Sequence, residues 1–373
     1  MVKTTSHSSL LLVAACSLAM GGCGARGPFV SVRPESLELS RGPAAPFLSL
    51  AAAPGSLYCV FADRATTTLD LVQLPDTPHL PPSAPAAEVI DKVDVVAPLS
   101  PTFGEHVLAV AGSRAAVLYQ DRESDVKNVL KLATRTFGEK QWTLDILEPP
   151  GDPLDLEPAA PGGFDAAWSP GLLSYRPAAG PARDAAAPLP FKLQGRPSAD
   201  GSGGFTAFDS LTSQLLSMRW TGTGFSTQVV PGGSPVQSSL RSAVGRLRVL
   251  SWDAKARRLL LHQESARAGS FSTSTVTVCD GTGAVALLPG QSDSTFLIVF
   301  DEVRSVGAGR TISQVSLIAP GSLMGARGTR YRKAVLASGE AGIDGFAAAR
   351  TTDALYVLVS QGNVKLLRIP LAP

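Results

Sequence analysis

The sequence predicts an all-β protein, a β-propeller of seven blades with six as the alternative, and three observations carry that expectation. Apolar residues alternate with polar ones along most of the chain, which argues strands because successive strand side chains point to opposite faces. A Gly-Phe-x-Ala cluster returns in GGFDAAW (162–168), GGFTAFD (203–209) and DGFAAAR (344–350). Taking the first apolar position of each unit gives Phe47, Val107, Phe164, Phe205, Leu247, Phe296 and Phe346, with later intervals of 41, 42, 49 and 50 residues. Periods of 40–50 residues holding several strands each are the sequence mark of propeller blades. A blade is a small twisted sheet that cannot cover both its faces alone, so blades stack in a ring and shield one another's edges.

The elements follow in chain order. The amino terminus, MVKTTSHSSLLLVAACSLAMGGCGARG, has a positive flank at Lys3 and an apolar run from Leu10 to Met20. That run is too short to span a bilayer and has the length of a signal-peptide core. It ends in Met20-Gly21-Gly22-Cys23, which resembles the lipobox of bacterial lipoproteins, although Met20 stands where Leu is usual. The resemblance implies that residues 1–22 are removed and that Cys23 carries the acyl chains, palmitate among them. A rival pattern, Val13-Ala14-Ala15-Cys16, has a shorter apolar run before it; ordinary secretion with a free Cys23 is the other alternative. Gly24, rather than Asp, after the cysteine implies the outer membrane by resemblance to enterobacterial sorting. Residues 23–46 then read as a Pro- and Gly-rich flexible tether, and 47–373 as the propeller.

The stretch AVLYQDRESDVKNVLKLATRTFGEKQWTLDIL (116–147) shows one blade in full. With Val107–Val110 as the inner strand, Ala116–Gln120, Val129–Leu132 and Trp142–Ile146 are the second, third and outer strands. Leu118, Leu130, Leu132 and Leu144 suit the layers between blades. The wording Tyr119-x-Asp121, Leu130-x-x-Ala133-Thr134 and Trp142-Thr143 resembles a repeat of sialidase-like propellers, and the likeness covers about 45 residues. It implies the fold and, as a second functional reading, a glycan hydrolase or lyase. The earlier intervals of 60 and 57 residues hold Pro-rich stretches that read as insertions; such segments lie at 75–87, 149–162 and 177–190. Ring closure calls for strands from both ends, Leu37–Leu39 or Phe47–Leu50 against Val364–Ile369.

A net charge of +2 with 17% charged residues marks no polyanion partner, and no basic stripe with interleaved aromatics points to nucleic acid. Cys59 and Cys279 sit in strand-like runs and read as buried single thiols. The histidines His7, His79, His106 and His262 are mutually isolated, without H-x-x-x-H or C-x-x-C, so no nitrogen or sulfur metal site and no cofactor is expected. Asp121, Glu123 and Asp125 alternate in a turn and read as solvated carboxylates rather than a calcium loop. Ser198-Ala199-Asp200-Gly201-Ser202-Gly203-Gly204-Phe205 is a partial Asp-box, S-x-D-x-G-x-T-W, with its glycine displaced; it reads as a turn entering a strand. Ser124 and Lys127 make an isolated S-x-x-K in a polar turn. No G-x-S-x-G or phosphate loop is present.

Tyr58, Tyr119, Tyr175 and Tyr356 lie in the second run of their units, where an aromatic packs between sheets. Tyr331, flanked by Arg327, Arg330, Arg332 and Lys333, is the place where a tyrosine meets several cations. No catalytic residue is assigned. The expected function is a lipid-anchored, non-enzymatic envelope module that binds a protein, glycan or cell-wall ligand.

Overall fold

The computed structural model of the chain describes residues 32–372 outside 41, 94–103, 125–126, 149, 160–162, 170–173, 177–190, 201–203, 222–224, 243, 266–268, 308–309, 321–330 and 340–341. Among the described residues all regular structure is β. The leader, both lipobox-like patterns and Cys23 lie outside them.

Strand β1 (Glu35–Glu38) comes first in the chain and last in the ring. Sheet 1 follows with β2 (Ala44–Ala53), β3 (Ser56–Asp63), β4 (Thr68–Pro75) and β5 (Glu88–Lys92). Sheet 2 has β6 (His106–Ala111), β7 (Arg114–Ser124), β8 (Lys127–Thr136) and β9 (Thr143–Leu147), so the blade read from 116–147 is present strand for strand. Sheet 3 has three strands among the described residues: β10 (Asp152–Ala159), β11 (Gly163–Ser169) and β12 (Ser174–Arg176). Sheet 4 holds β13 (Leu193–Ala199), β14 (Gly204–Asp209), β15 (Gln214–Trp220) and β16 (Phe225–Val230). Sheet 5 holds β17 (Gln237–Arg241), β18 (Leu247–Asp253), β19 (Arg258–Glu264) and β20 (Phe271–Val278). Sheet 6 holds β21 (Val285–Pro289), β22 (Phe296–Gly307), β23 (Arg310–Pro320) and β24 (Tyr331–Gly339). Sheet 7 is β25 (Gly345–Arg350), β26 (Ala354–Gln361) and β27 (Asn363–Pro370), completed on its outside by β1.

The innermost strands neighbour one another in the order β2, β6, β10, β13, β17, β21, β25 and back to β2. The chain is therefore a β-propeller. It closes by pairing its two ends, Leu37 opposite Leu366 and Glu38 opposite Lys365. The segment expected as a tether, 23–46, thus supplies β1 and the first residues of β2, and the folded domain begins before residue 47. SLELS forms a strand because its alternation buries Leu37 against the last sheet while Glu38 stays exposed.

Strands in the middle of a sheet are covered on both faces, and β3 shows why its sequence is almost wholly apolar. Leu57, Cys59 and Phe61 face sheet 7 with Tyr356, Leu358 and Leu366. Tyr58, Val60 and Ala62 face sheet 2 with Val117, Tyr119 and Ala133. Leu118, Leu130 and Leu132 are buried against Phe164 and Trp168 of sheet 3, as the alternation predicts. Leu144 differs: it is 44% exposed, because the outermost strand is short of a neighbour to pack on.

The repeat phase needs correction. Phe47, Val107 and Phe346 lie on innermost strands, but Phe164, Phe205, Leu247 and Phe296 lie on second strands. EPPGDPLDLEPAAPGG is not an insertion: its DPLDLEPA is β10, the inner strand of sheet 3. Prolines also sit within the inner strands at Pro46, Pro197 and Pro289. An innermost strand has one unpaired edge, where a missing N–H costs no ladder bond. Proline there is compatible with a strand, and it hid the strand from the alternation pattern.

A second repeat marks the true phase. Asp63, Asp209 and Asp253 end or follow second strands, each behind an apolar-aromatic run. Asp63 Oδ1 accepts the Ala65 N–H at 2.7 Å, Asp209 Oδ1 that of Leu211 at 3.1 Å, and Asp253 Oδ1 that of Ala256 at 3.0 Å. Four residues after each aspartate the backbone turns left-handed, at Thr67, Ser213 and Arg257, with φ of 53°, 54° and 53°. The carboxylate satisfies the turn's N–H groups and so holds that conformation in place.

Candidate functional site

Each innermost strand runs the same way through the ring, so the strand ends gather on two opposite faces. On one of them the chain enters β1 at Glu35 and leaves β27 at Pro370; this is the closure face. The ends of β2, β21 and β25 open there onto a cavity of about 1040 Å³, lined among others by Ala53, Gly55, Asp76, Arg350, Thr352 and Arg368. These residues are scattered from position 53 to 368, and only the ring brings them together.

Tyr356 lies beneath the cavity floor, 1% exposed, and donates its hydroxyl to Asp76 Oδ1 at 2.8 Å. Burial first, and then Asp76, pushes its phenol up to about 12. Arg368 Nε donates to the Tyr356 hydroxyl at 3.3 Å, and its Nη1 pairs with Glu35 at 3.3 Å. Glu35 Oε2 accepts the Leu80 N–H at 2.8 Å, which chiefly holds its carboxyl below the usual range, and Oε1 meets His79 Nδ1 at 3.0 Å. The Pro-rich segment 75–87 is thereby fastened to β1, with Leu80 and Ala84 packed on the core between sheets 7 and 1. Asp76, Tyr356, Arg368 and Glu35 form a brace across the closure. A phenol this buried, with its proton held by a carboxylate, is not a nucleophile at neutral pH.

The same face carries a second charged group. Asp200, 1% exposed, accepts from Arg241 Nε at 2.8 Å, with Arg219 Nη2 at 3.9 Å. Arg241 Nη1 also lies 3.7 Å from Glu264. Of the partial Asp-box, Ser198 and Ala199 end β13, Gly204 and Phe205 begin β14, and Asp200 is held in an ion pair, while 201–203 lie outside the described residues. Gly204 is required there, since a Cβ would stand 2.9 Å from the Met218 carbonyl and 3.0 Å from Asp200 Oδ2.

The remaining sequence candidates are spread over the ring. Tyr331 begins β24, stacks on Phe296 at 4.8 Å, and its hydroxyl oxygen accepts the Phe296 N–H at 3.2 Å. Burial raises its phenol. Arg327 and Arg330 lie outside the described residues, as do 177–190 and the side chains of Glu123, Ser124, Asp125, Lys127 and Tyr175. Lys333 pairs with Glu302 at 2.6 Å in the interior of sheet 6. Asp121 pairs with Lys131 at 2.7 Å, and Lys131 reaches Asp91 of sheet 1 at 2.9 Å. Tyr119 donates to the same Asp91 oxygen at 2.7 Å, and Trp142 Nε1 donates to Glu88 at 2.9 Å. The residues of the Tyr119–Trp142 wording therefore join sheet 2 to the outer strand of sheet 1. Cys59 and Cys279 are free and buried. His106 and His262 are fully buried; His262 Nε2 lies 2.8 Å from Ser251 Oγ, and burial lowers its pKa. Among the described residues no cluster of three metal-ligating side chains occurs.

No protein-family model and no curated protein matches the sequence. Solved structures share the fold. A catalytically inactive virginiamycin B lyase from Staphylococcus aureus with quinupristin matches with a TM-score of 0.55 at 8% identity, covering 90% of this chain and 99% of that one. YCF48 bound to D1 peptide matches with a TM-score of 0.55 at 11% identity, over 92% and 97%. An ulvan lyase of a polysaccharide lyase family, PL25, matches with a TM-score of 0.60 at 11% identity, over 91% and 96%. These neighbours include lyases and a peptide-bound protein, and at such identity the likeness is one of fold: this chain is a β-propeller.

Proposed function

We propose that the protein is a lipid-anchored binding module of the cell envelope, a seven-bladed propeller in which sheet 3 is the seventh blade. It takes a protein, glycan or cell-wall ligand on its closure face and catalyses no reaction. One observation carries this reading: Tyr356 and the acidic residues Asp76, Glu35 and Asp200 of that face are each engaged with a partner. Asp76 holds Tyr356, Glu35 holds Arg368, and Asp200 holds Arg241. Groups so paired brace the ring and are not poised to exchange protons with a substrate. Cys23 is the anchor in this reading, since diacyl and amide-linked chains supply the two or more attachments that stable membrane binding needs.

The test has two arms. The mature domain, tethered to resin and offered detergent-solubilised envelope, should retain a specific partner without turning over sialosides or acidic glycans. Turnover that disappears in Tyr331→Phe would establish the hydrolase or lyase reading instead. Cys23→Ser should release the protein from membranes; release by Cys16→Ser alone would move the anchor to Cys16.

A further inference from the structure

We infer that the closure-face cavity is a receptor for an organic carboxylate with an apolar body, and that Arg350 is its anion-binding residue. This rests on the binding-module reading and names the ligand class of that face.

Arg350 ends β25 at the rim of the cavity. Its Nη1 donates to two successive carbonyls of the neighbouring sheet, Pro289 at 3.0 Å and Gly290 at 2.5 Å, which fixes the guanidinium plane. Nε is buried and has no acceptor. Burial pulls its pKa down. Arg368, on the same wall, is already compensated by Glu35. A guanidinium donates charge-assisted hydrogen bonds to a carboxylate, and Nη2 remains for that once Nη1 is spent on carbonyls. The wall is mixed: Ala52, Ala53, Pro54 and Leu371 give it an apolar part, beside the polar Gln291 and Asp353. About 1040 Å³ far exceeds what a bare inorganic anion fills. An acidic head on Arg350 with hydrocarbon against the alanines matches both halves of the lining.

The probe is hexanoate, titrated into the mature domain and followed by ligand-observed NMR, with hexanamide and inorganic phosphate as controls. Hexanoate should bind, hexanamide should not, and Arg350→Gln should weaken hexanoate by at least about tenfold. Thr352→Trp, which fills the cavity from an exposed turn, should abolish binding without shifting the melting temperature; it serves if Arg350→Gln does not fold. Equal binding of hexanamide, or no effect of either substitution, overturns the site. Phosphate binding as tightly as hexanoate overturns the apolar half and leaves a plain anion site. Saturating hexanoate should displace the envelope partner from resin. A partner captured regardless refutes this site and leaves the binding reading standing, whereas hexanoate binding with no partner captured does the reverse.

Discussion

Strands β26 and β27 of sheet 7 pair without a slip from Ala354 opposite Pro370 to Gln361 opposite Asn363. In sheet 3, β10 slips between Pro153 and Asp155, and β12 spans Ser174–Arg176 among the described residues. The cores differ in the same direction. Sheet 7 buries Leu355, Val357 and Val359 toward sheet 6 and Tyr356 and Leu358 toward sheet 1. Sheet 3 buries Phe164 and Trp168 toward sheet 2 but offers Ala167 toward sheet 4. The contrast follows from connectivity. Sheet 3 is held between neighbours by the chain itself, so its loop closures are short. Sheet 7 joins residues more than three hundred positions apart and must offset that ordering entropy with packing and pairing alone.

The strongest way to break this comparison is to remove the closure. Deleting Val364–Pro373 strips sheet 7 of β27, leaves β1 without a partner and exposes β26 as an edge. Calorimetry should then show loss of the single cooperative transition; a domain that melts as before would mean that closure contributes little. A smaller probe compares leucines. Leu366→Ala at the closure should cost about 4–5 kcal/mol, and Leu156→Ala on β10 about 2–3 kcal/mol, because the looser site collapses more readily. Equal costs in urea unfolding would dissolve the distinction.

The brace gives a pH signature. The Tyr356 phenol is raised from 10.0 to about 12 in the folded protein. The unfolded chain therefore loses that proton first as pH climbs, and stability present below pH 10 declines between 10 and about 12. Tyr356→Phe should cost about 1 kcal/mol at neutral pH and flatten the alkaline decline. An unchanged alkaline slope would assign it to other groups. His262 acts in the opposite direction: burial lowers its pKa below 6.5, so its contribution is present above pH 6.5 and is lost as pH falls. His262→Gln should reduce the acid-side slope of the melting temperature. The smallest effect is expected on the outer strand, where Ile146, 59% exposed, should tolerate Thr within about 0.5 kcal/mol.

The strands of sheet 2 were legible because its wall residues alternate cleanly and polar turns separate the runs. The phase of the ring was not, because Pro153 and Pro158 masked β10 and the Phe of Gly-Phe-x-Ala occupies an inner strand at 346 but a second strand at 164 and 205. The aspartates after Ala62, Phe208 and Trp252 would have set it: each marks the turn out of a second strand, where its carboxylate accepts an N–H of that turn. The cavity had no sequence signal. Asp76, Arg350 and Arg368 share no motif, and their meeting depends on the curvature of the whole ring.

Strand β1 also has a mechanical meaning if Cys23 is the anchor. Twelve residues link Cys23 to Glu35, a leash that cannot exceed about 40 Å fully extended. It would hold the closure face, with Arg350, toward the lipid surface. Any drag on a bound partner would then pass through β1, which is secured by its rungs to β27, the buried Leu37 and the pair between Glu35 and Arg368. A pull along the ring axis loads these rungs together in shear. A sideways pull peels them singly from Glu35 onward, so the clasp that completes the ring is also where tension would first open it.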